Sequence, residues 1–420
     1  MCSKFLLNIS RGVITNSQHF PAPKNMSISK ADYYQRILNL QDKLSSSEFD
    51  SLIVSEEEDI YYLTGLTYKS LERLFLLIVR KDKLSFVLPQ MELAHLKHVD
   101  HVQEIKTYFE YPAKEGERWQ DVLLDSLKGS QSVGMGGKAP FEIGEFLSAM
   151  SVKTGACHIL DELRWVKSDK EIEMIRLAAA YSDQAVAELN AKAYFGMSEL
   201  EVFSIGQGIQ RKLIKETEFN YLASSVLFAA WPSRISYQPH GVPKVDDLLI
   251  EGSHISLAFL RVNGYSAELE RTFFTHTPSK EQAEMFEIML EARRRSYALL
   301  KAGVTGEEVD LAAKAFFQDE GLGKHIMHRT GHGIGLGNHE GPYLAEGDKT
   351  VLKENMVVSI EPGIYIEGVG GFRHSDTVRV TKDGYEILTH CPDDIKSLTF
   401  TQSRPFQKLK GRLIKKMFGI

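Results

Sequence analysis

The sequence predicts a two-domain α+β protein, in which a smaller α/β domain precedes a larger domain of helices laid over a curved antiparallel sheet. A chain of 420 residues is long enough to bury two cores. Helix and strand patterns alternate up to about residue 160, which is typical of an α/β domain. Beyond a boundary near residues 163–168, long amphipathic helices and a strand hairpin predominate. We therefore predict domains at 1–163 and 164–400, followed by a tail at 401–420.

The first domain opens with an irregular arm, because residues 1–30 contain scattered Pro, Asn and Ser. Apolar residues at helical spacing predict a helix over 31–44, and the apolar run at 51–54 predicts a buried strand. Residues 75–79 and 84–88 are two further apolar runs joined by Lys-Asp-Lys, which predicts a β-hairpin.

The second domain begins with a helix start signal. Ser168 and Glu171 have the spacing of a capping box, and a long amphipathic run follows to about residue 189. The same signal recurs at two later positions, Ser279 with Gln282 and Thr305 with Glu308. Strands are predicted at 225–229, 351–360, 364–366 and 377–380.

The central element of this domain is the hairpin predicted over residues 255–274. An apolar run meets a turn signal at Asn263-Gly264 and resumes as an alternating segment. Glu268 and Glu270 are two residues apart in this segment, so a strand would present both on one face. Paired carboxylates on one face indicate a functional site.

Composition excludes several classes of protein. Hydrophobic residues make up 43% of the chain and charged residues 25%, as in ordinary globular domains. The net charge of −6 gives no electrostatic reason to expect nucleic-acid binding. Three cysteines without metal-ligand spacing indicate reduced thiols, and the N-terminal apolar patch is too short for a signal core. We expect a cytoplasmic protein.

Several short motifs resemble one known family. They are DIYYLTG at 59–65, YQPHG at 237–241, ELERT at 268–272, TGHGIG at 330–335, HE at 339–340, SIEPG at 359–363 and GFRHSDT at 371–377. Together they resemble the pita-bread peptidases and their relatives, which include prolidase, aminopeptidase P and creatinase. The resemblance covers most of the chain and implies the pita-bread fold for residues 164–400.

The metal-dependent relatives bind two ions through five side chains, which fall here on Leu257, Glu268, His332, Glu361 and Ser375. Leucine cannot bind a metal, and serine replaces a bridging carboxylate. The resemblance therefore implies a site without metal or other cofactor. A mononuclear site from Glu268, His332 and Glu361 is the less favoured alternative.

The motif Leu-Glu-Arg-Thr at 269–272 resembles creatinase, the metal-free branch of the family. This match implies a function. We predict a metal-independent hydrolase of a non-peptide C–N bond in a small guanidino, amidine or zwitterionic compound. Glu270 and Glu361 would hydrogen-bond the cationic substrate, and His332 would position the reacting group. His240 would move the proton, because its ordinary pKa lies near neutrality.

The resemblance also implies substrate-binding residues, namely Glu268, His339 and Arg373, together with Leu71 and Arg73. The last two fall where creatinase has residues that reach the substrate from the partner subunit, so we expect a homodimer with shared sites. Creatinase has an arginine where this chain has His339, which argues against creatine as the substrate.

Two other functions remain open. One is a metal-dependent Xaa-Pro aminopeptidase or prolidase, and the other is a catalytically inactive binding module on the peptidase fold. The tail is separate from both: residues 402–420 alternate basic and apolar residues in the manner of an amphipathic helix. Packing on protein is its expected role, with membrane-surface contact as a weaker alternative.

Overall fold

The computed structural model describes residues 27–419. Most of the predicted N-terminal arm, together with Cys2, lies outside these residues. The first half contains α1 (Lys30–Ser45), β1 (Ser51–Val54), α2 (Glu57–Thr64), β2 (Leu76–Arg80), β3 (Leu84–Pro89), β4 (Glu104–Tyr108), α3 (Trp119–Ser126), β5 (Ser132–Met135), α4 (Phe141–Ala149), β6 (Lys153–Ala156) and α5 (Ile159–Trp165). A 3-10 helix, Gln90–His98, joins β3 to β4.

The strands of this half form one mixed sheet in the order β4-β3-β2-β1-β5-β6. β2 pairs antiparallel with both β1 and β3, which confirms the predicted hairpin, whereas β5 and β6 join in parallel after helical crossovers. The helix predicted over 31–44 is α1, which buries Ile37, Leu40 and Leu44 in the main core. Helices and strands thus alternate as the sequence predicts.

The described part of the second half contains five α-helices and twelve strands. They are α6 (Asp169–Lys192), β7 (Met197–Ser198), α7 (Glu199–Glu216), β8 (Ser225–Trp231), β9 (Leu248–Leu249), β10 (His254–Val262), β11 (Tyr265–Phe273), α8 (Lys280–Leu299), α9 (Gly306–Asp319), β12 (Gly331–Gly333), β13 (Glu340–Leu344), β14 (Val357–Ile360), β15 (Gly363–Ile366), β16 (Gly370–Arg373), β17 (Ser375–Val380), β18 (Tyr385–Ile387) and α10 (Pro405–Phe418). A short 3-10 helix, Gly323–His325, follows α9.

The large sheet of this half runs in the order β13-β12-β14-β17-β11-β10-β8, with β18 added beside β17. Its adjacent strands pair antiparallel throughout the described residues. Side chains alternate between its two faces: Ala258 and Leu260 join the main core on one face, while Leu257 and Phe259 belong to a separate apolar cluster on the other. This second face carries the candidate site.

The β10–β11 hairpin forms where the sequence predicts it. Asn263 and Gly264 have φ angles of 47° and 96°, the left-handed values that a two-residue turn between twisted strands requires. The resulting register sets Phe259 opposite Glu268 and Leu257 opposite Glu270. Glu268 and Glu270 therefore lie on one face of the sheet, as the sequence predicts.

The three predicted capping boxes are present at α6, α8 and α9. In each, the Ser or Thr side chain accepts from a backbone N–H in the first turn, and the acid or amide three residues later caps in return. The strand predicted over 351–360 is too long. Asn355 has a φ of 69° and lies in a turn, so regular pairing begins only at Val357.

The two halves are joined by a continuous apolar core and by buried ion pairs. Arg164 contacts Asp59 of α2 at 2.5 Å and Glu340 of β13 at 2.7 Å, and Lys167 contacts the second oxygen of Glu340 at 2.9 Å. Within residues 27–419, no helix is long and apolar enough to cross a membrane.

Candidate functional site

Three buried or nearly buried carboxylates converge on the second face of the large sheet. Glu268 and Glu270 are neighbours on one face of β11, and Glu361 directly follows β14. One oxygen of each lies within 4.8 Å of the others. Because like charges at this separation repel, the cluster requires cations beside it.

His332 of β12 supplies the first cationic partner. Its backbone N–H donates to Ser359 Oγ at 3.0 Å, and its Nδ1 lies 3.1 Å from the carbonyl oxygen of Gly333. This leaves Nε2 facing Glu361 at 3.2 Å and Glu268 at 3.6 Å. Although Nε2 is fully buried, it has no partner at hydrogen-bonding angles within residues 27–419.

Arg373 of β16 is the second cationic partner. Its guanidinium binds both oxygens of Glu270, with Nη2 donating to Oε1 at 2.7 Å. Its Nη1 donates to Tyr365 Oη at 2.7 Å and to the carbonyl oxygen of Pro239 at 3.3 Å. Tyr365 Oη also lies 2.7 Å from Nε2 of His328. Arg373 therefore directs most of its donors to protein groups.

These contacts set the charges of the cluster. Burial opposes the charged form of His332, but Glu268 and Glu361 outweigh it and raise the pKa of His332 to about 10. Burial likewise acts against the anion of Glu361, yet the neighbouring His332 lowers the pKa of Glu361 to about 2. Burial raises the pKa of Glu270, while Arg373 opposes that effect. We assign Glu270 as ionised because both oxygens accept from the guanidinium.

Two histidines line the more open side. The rings of His332 and His339 lie 3.9 Å apart, and His339 is exposed. His240 is exposed in a turn, and the carbonyl of the preceding residue, Pro239, accepts the hydrogen bond from Arg373. The structure thus brings the loop of His240 to the edge of the cluster, and its role in proton transfer stays a prediction.

Leu257 and Ser375 occupy the two positions that lack a metal-binding side chain, and they make different contacts. Leu257 packs in the apolar cluster with Trp231, Phe259 and Tyr365. Ser375 donates a hydrogen bond from Oγ to Glu268 Oε1 at 2.6 Å. An apolar side chain and a neutral hydroxyl therefore adjoin the carboxylates where the resemblance would place two acids.

Leu71 and Arg73 lie in the loop between α2 and β2, in the first domain. Leu71 is 76% exposed and has a φ of 53°, which is unusual for a residue with a side chain. Arg73 contacts Glu110 at 2.9 Å and Glu72 at 3.1 Å. Their predicted action on a partner's site remains a prediction, and so does the homodimer.

Three residues of the site are not among those that the sequence predicts: Tyr365, His328 and Trp231. Tyr365 connects Arg373 to His328, and Trp231 forms one wall beside Leu257. A usable signal was present only for Tyr365, which is four residues after Glu361 in the short strand that follows the SIEPG motif. The other two come from segments without motif character.

Comparison with known proteins places this architecture in a family. The model of metallopeptidase family M24 matches residues 173–382, and the model of the creatinase/prolidase N-terminal domain matches residues 36–177. An uncharacterized peptidase of Staphylococcus aureus is 30% identical over 367 residues, which cover 84% of this chain and 99% of the relative. The chain belongs to metallopeptidase family M24. It therefore has the pita-bread fold that the sequence predicts, in a family of hydrolases.

Other relatives of this M24 protein have more specific names. An Xaa-Pro dipeptidase of Pyrococcus furiosus is 29% identical over 360 residues, which cover 84% of this chain and 97% of the relative. The solved Xaa-Pro dipeptidase of Bacillus anthracis is 26% identical, covers 86% of this chain and 99% of its own, and superposes with a TM-score of 0.74. The N-terminal domain of the chickpea FACT subunit SPT16 has the same TM-score at 16% identity, which shows shared fold alone.

These relatives correct the predicted function. The metal-independent, creatinase-like hydrolysis of a non-peptide C–N bond is wrong, because the relatives that match most of the chain are named as peptidases and Xaa-Pro dipeptidases. The prediction combines the match of Leu-Glu-Arg-Thr to creatinase with the absence of metal-binding side chains at Leu257 and Ser375. Glu270, which it assigned to a cationic substrate, is bound by Arg373 of the same chain.

The M24 family implies metal ions, and the side chains of the cluster fit one ion better than two. Leu257 has no ligand atom, and the hydroxyl of Ser375 is engaged with Glu268. The remaining three positions, Glu268, His332 and Glu361, offer carboxylate and imidazole ligands, the set that one catalytic divalent ion takes from a protein. The unpartnered Nε2 of His332, which faces both carboxylates, agrees with such a ligand.

Proposed function

We propose that this M24 protein is a peptidase of the prolidase type, which cleaves short peptides, with Xaa-Pro dipeptides as the first class to test. The observation that supports this proposal is the convergence of Glu268, His332 and Glu361 on one face of the pita-bread sheet, with His339 at the open side. The same function is named for relatives that match most of the chain.

We propose further that Glu268, His332 and Glu361 hold one divalent ion. When bound, the ion would supply electrophilic polarisation and lower the pKa of water. The protein supplies the ligand geometry: Ser359 fixes the backbone of His332, and Ser375 fixes one oxygen of Glu268. Such supporting contacts orient metal ligands and tune their basicity.

The remaining residues bind and orient the peptide. Burial and the adjacent His332 lower the pKa of His339, so a ring nitrogen of His339 is free to exchange a hydrogen bond with the peptide near neutral pH. The apolar cluster of Trp231, Leu257 and Phe259 offers a surface for a prolyl ring or another apolar residue. Glu270 is kept in place by Arg373 and contributes negative charge beside the ligands.

A hydrolysis assay tests this proposal. The purified protein is stripped of metal, reloaded separately with Mn²⁺, Co²⁺ or Zn²⁺, and incubated with Xaa-Pro dipeptides and matched Xaa-Ala dipeptides. We expect metal-dependent cleavage and about one bound ion per chain. His332→Asn should abolish both, whereas His158→Asn, an exposed histidine beside Asp161, should change neither. Absence of peptide cleavage with every metal would contradict the proposal.

A second candidate function is ligand binding without catalysis. Leu257 and Ser375 favour binding without catalysis, because they occupy two of the five positions that bind metal in the metal-dependent relatives. Under this alternative the protein binds dipeptides in calorimetry without turnover. The assay above separates the two functions directly, since only a peptidase releases free amino acids.

The expected homodimer forms part of this proposal. Leu71 and Arg73 occupy an exposed loop of the first domain, from which they would reach a partner's site. Sedimentation should give a dimer, and a mixture of Arg73→Ala and His240→Ala subunits should recover activity that neither has alone. A fully active monomer would contradict it. We also place the protein in the cytoplasm, in keeping with free Cys157 and Cys391.

A further inference from the structure

We propose that the C-terminal helix α10 binds the surface of an anionic lipid membrane and attaches this protein to it reversibly. This inference is independent of the proposed peptidase activity. It starts from a surface outside the M24 match, which ends at residue 382. The helix spans Pro405–Phe418 and follows the last core residues of the second domain.

One stripe of α10 is apolar and faces away from the protein. Phe406, Leu409, Leu413 and Met417 are spaced by three, four and four residues, which places them along one side of the helix. They are respectively 84%, 56%, 56% and 82% exposed. Four large apolar side chains in a continuous exposed row are uncommon on a protein that meets only water.

The opposite side of the helix contacts the protein near Tyr194 and Glu201. Gly411 is buried, and any side chain there would overlap Glu201 and Tyr194. Lys408 lies over the ring of Tyr194 at 5.7 Å, and Arg404 donates to the backbone carbonyls of Ala191 and Asn190. These contacts fix the orientation of the helix and leave the apolar stripe uncovered.

The charge of the tail decides what covers the stripe. Residues 402–420 contain six basic and no acidic residues, so they contribute +6 to a net charge of −6 and the rest of the chain carries −12. Lys410 lies on one side of the stripe, and Arg412 and Lys416 lie on the other; all three are exposed. None of these three forms an ion pair within residues 27–419.

An anionic lipid surface matches both properties. A helix with an apolar stripe and basic flanks lies in the interface plane, with apolar side chains among the acyl chains and Lys or Arg beside the headgroups. A second copy of this chain is a poorer match, because two such helices would bring their basic flanks together. The acidic body is repelled by the same surface, so only the tail makes the contact.

Vesicle co-sedimentation tests the proposal. Full-length protein is mixed with vesicles of phosphatidylcholine alone or with about 30% phosphatidylserine. We expect binding to the anionic vesicles only, with affinity that falls as salt is raised. Neutralising Lys410, Arg412 and Lys416 to Gln should weaken binding roughly 100-fold, since each basic residue near the surface contributes about fivefold.

Matched variants control for net charge and for lost apolar surface. Replacing Lys81, Lys97 and Lys153 of the first domain by Gln changes the net charge equally and should leave binding unchanged. Leu409→Gln/Leu413→Gln/Met417→Gln should abolish binding, whereas Met91→Gln/Phe141→Gln/Met150→Gln, at exposed apolar positions elsewhere, should not. Equal binding to neutral vesicles, no binding to anionic ones, or stripe variants that disrupt a dimer without affecting vesicle binding would overturn the proposal.

Discussion

At the scale of single residues, Leu257 and Ser375 flank Glu270 on the two neighbouring strands, at equivalent positions of the ladder. Each adjoins the cluster without adding charge to it. The cluster therefore keeps three carboxylates, and Arg373 and His332 offset two of their negative charges. Two further acids at these positions would add two more negative charges that neither cation offsets, unless an additional metal ion accompanied them.

The first prediction follows from this charge balance. Leu257→Asp/Ser375→Glu should bind one more divalent ion per chain than the unmodified protein. Without metal, the double variant should lose about 3 kcal/mol or more of unfolding free energy, because two further acids enter a buried cluster. Metal content by elemental analysis and thermal unfolding with and without metal measure both effects.

The neutral variant Leu257→Asn/Ser375→Gln serves as the control for the first prediction. It has nearly the same shape as the acidic variant but adds no charge, so its metal content should match that of the unmodified protein. An unchanged ion count in the acidic variant would show that these two positions do not limit metal binding.

At the scale of elements, local chemistry determined which predictions succeeded. The Asn263-Gly264 turn and the three capping boxes were predictable because each satisfies backbone geometry within a few residues. The segment 351–356 has enough apolar residues for a strand, but the turn at Asn355 interrupts it. The cap of α7, Ser198 with Glu201, carries the same signal and was overlooked.

The sequence motifs indicate which residues belong to the candidate site, but they do not indicate which of these side chains contact each other. The motifs indicate Glu268, His332 and Glu361, and the structure places Nε2 of His332 beside both carboxylates, while their role stays a prediction. The motifs could not show that Arg373 binds Glu270 and Tyr365, because that contact depends on how β16 crosses the end of β11 in three dimensions. The functional error had a different origin: a four-residue match and two missing metal ligands outweighed similarity that extends over most of the chain.

The second prediction concerns the start of α7. Glu199 is buried and accepts from the backbone N–H of Ala230, the residue before Trp231. Burial raises the pKa of Glu199 from 4.5 to about 8. The unfolded chain therefore releases this proton at lower pH than the folded protein, and the free energy of unfolding falls as pH rises from about 4.5 to 8.

Glu199→Gln should remove this pH dependence while keeping the accepting oxygen. Relative to the unmodified protein, the variant should gain on the order of 2 kcal/mol in going from pH 5 to pH 8. Urea unfolding at several pH values measures the difference. Glu281→Gln, an exposed acid in the first turn of α8, is the matched control and should show no such trend.

At the scale of the whole molecule, one buried ionic network links the first domain to the site. Arg164 lies between Asp59 of the first domain and Glu340 of the second, and Lys167 holds the other oxygen of Glu340. These side chains are at most 10% exposed. Because Glu340 directly follows His339, the contact between domains also holds the backbone next to a histidine of the site.

The last prediction tests this link. Arg164→Met should cost about 3–5 kcal/mol of unfolding free energy, because it leaves Asp59 buried without a cation. Adding Asp59→Asn should recover part of the loss, and the double-mutant cycle should show a coupling of about 1 kcal/mol or more. Lys138→Met, which breaks the pair between an exposed lysine and the partly buried Glu56, should cost less than about 1 kcal/mol. If the network positions His339, Arg164→Met/Asp59→Asn will also raise KM for the peptide substrate, whereas full additivity of the two substitutions with unchanged KM would show that the ion pairs act separately from the site.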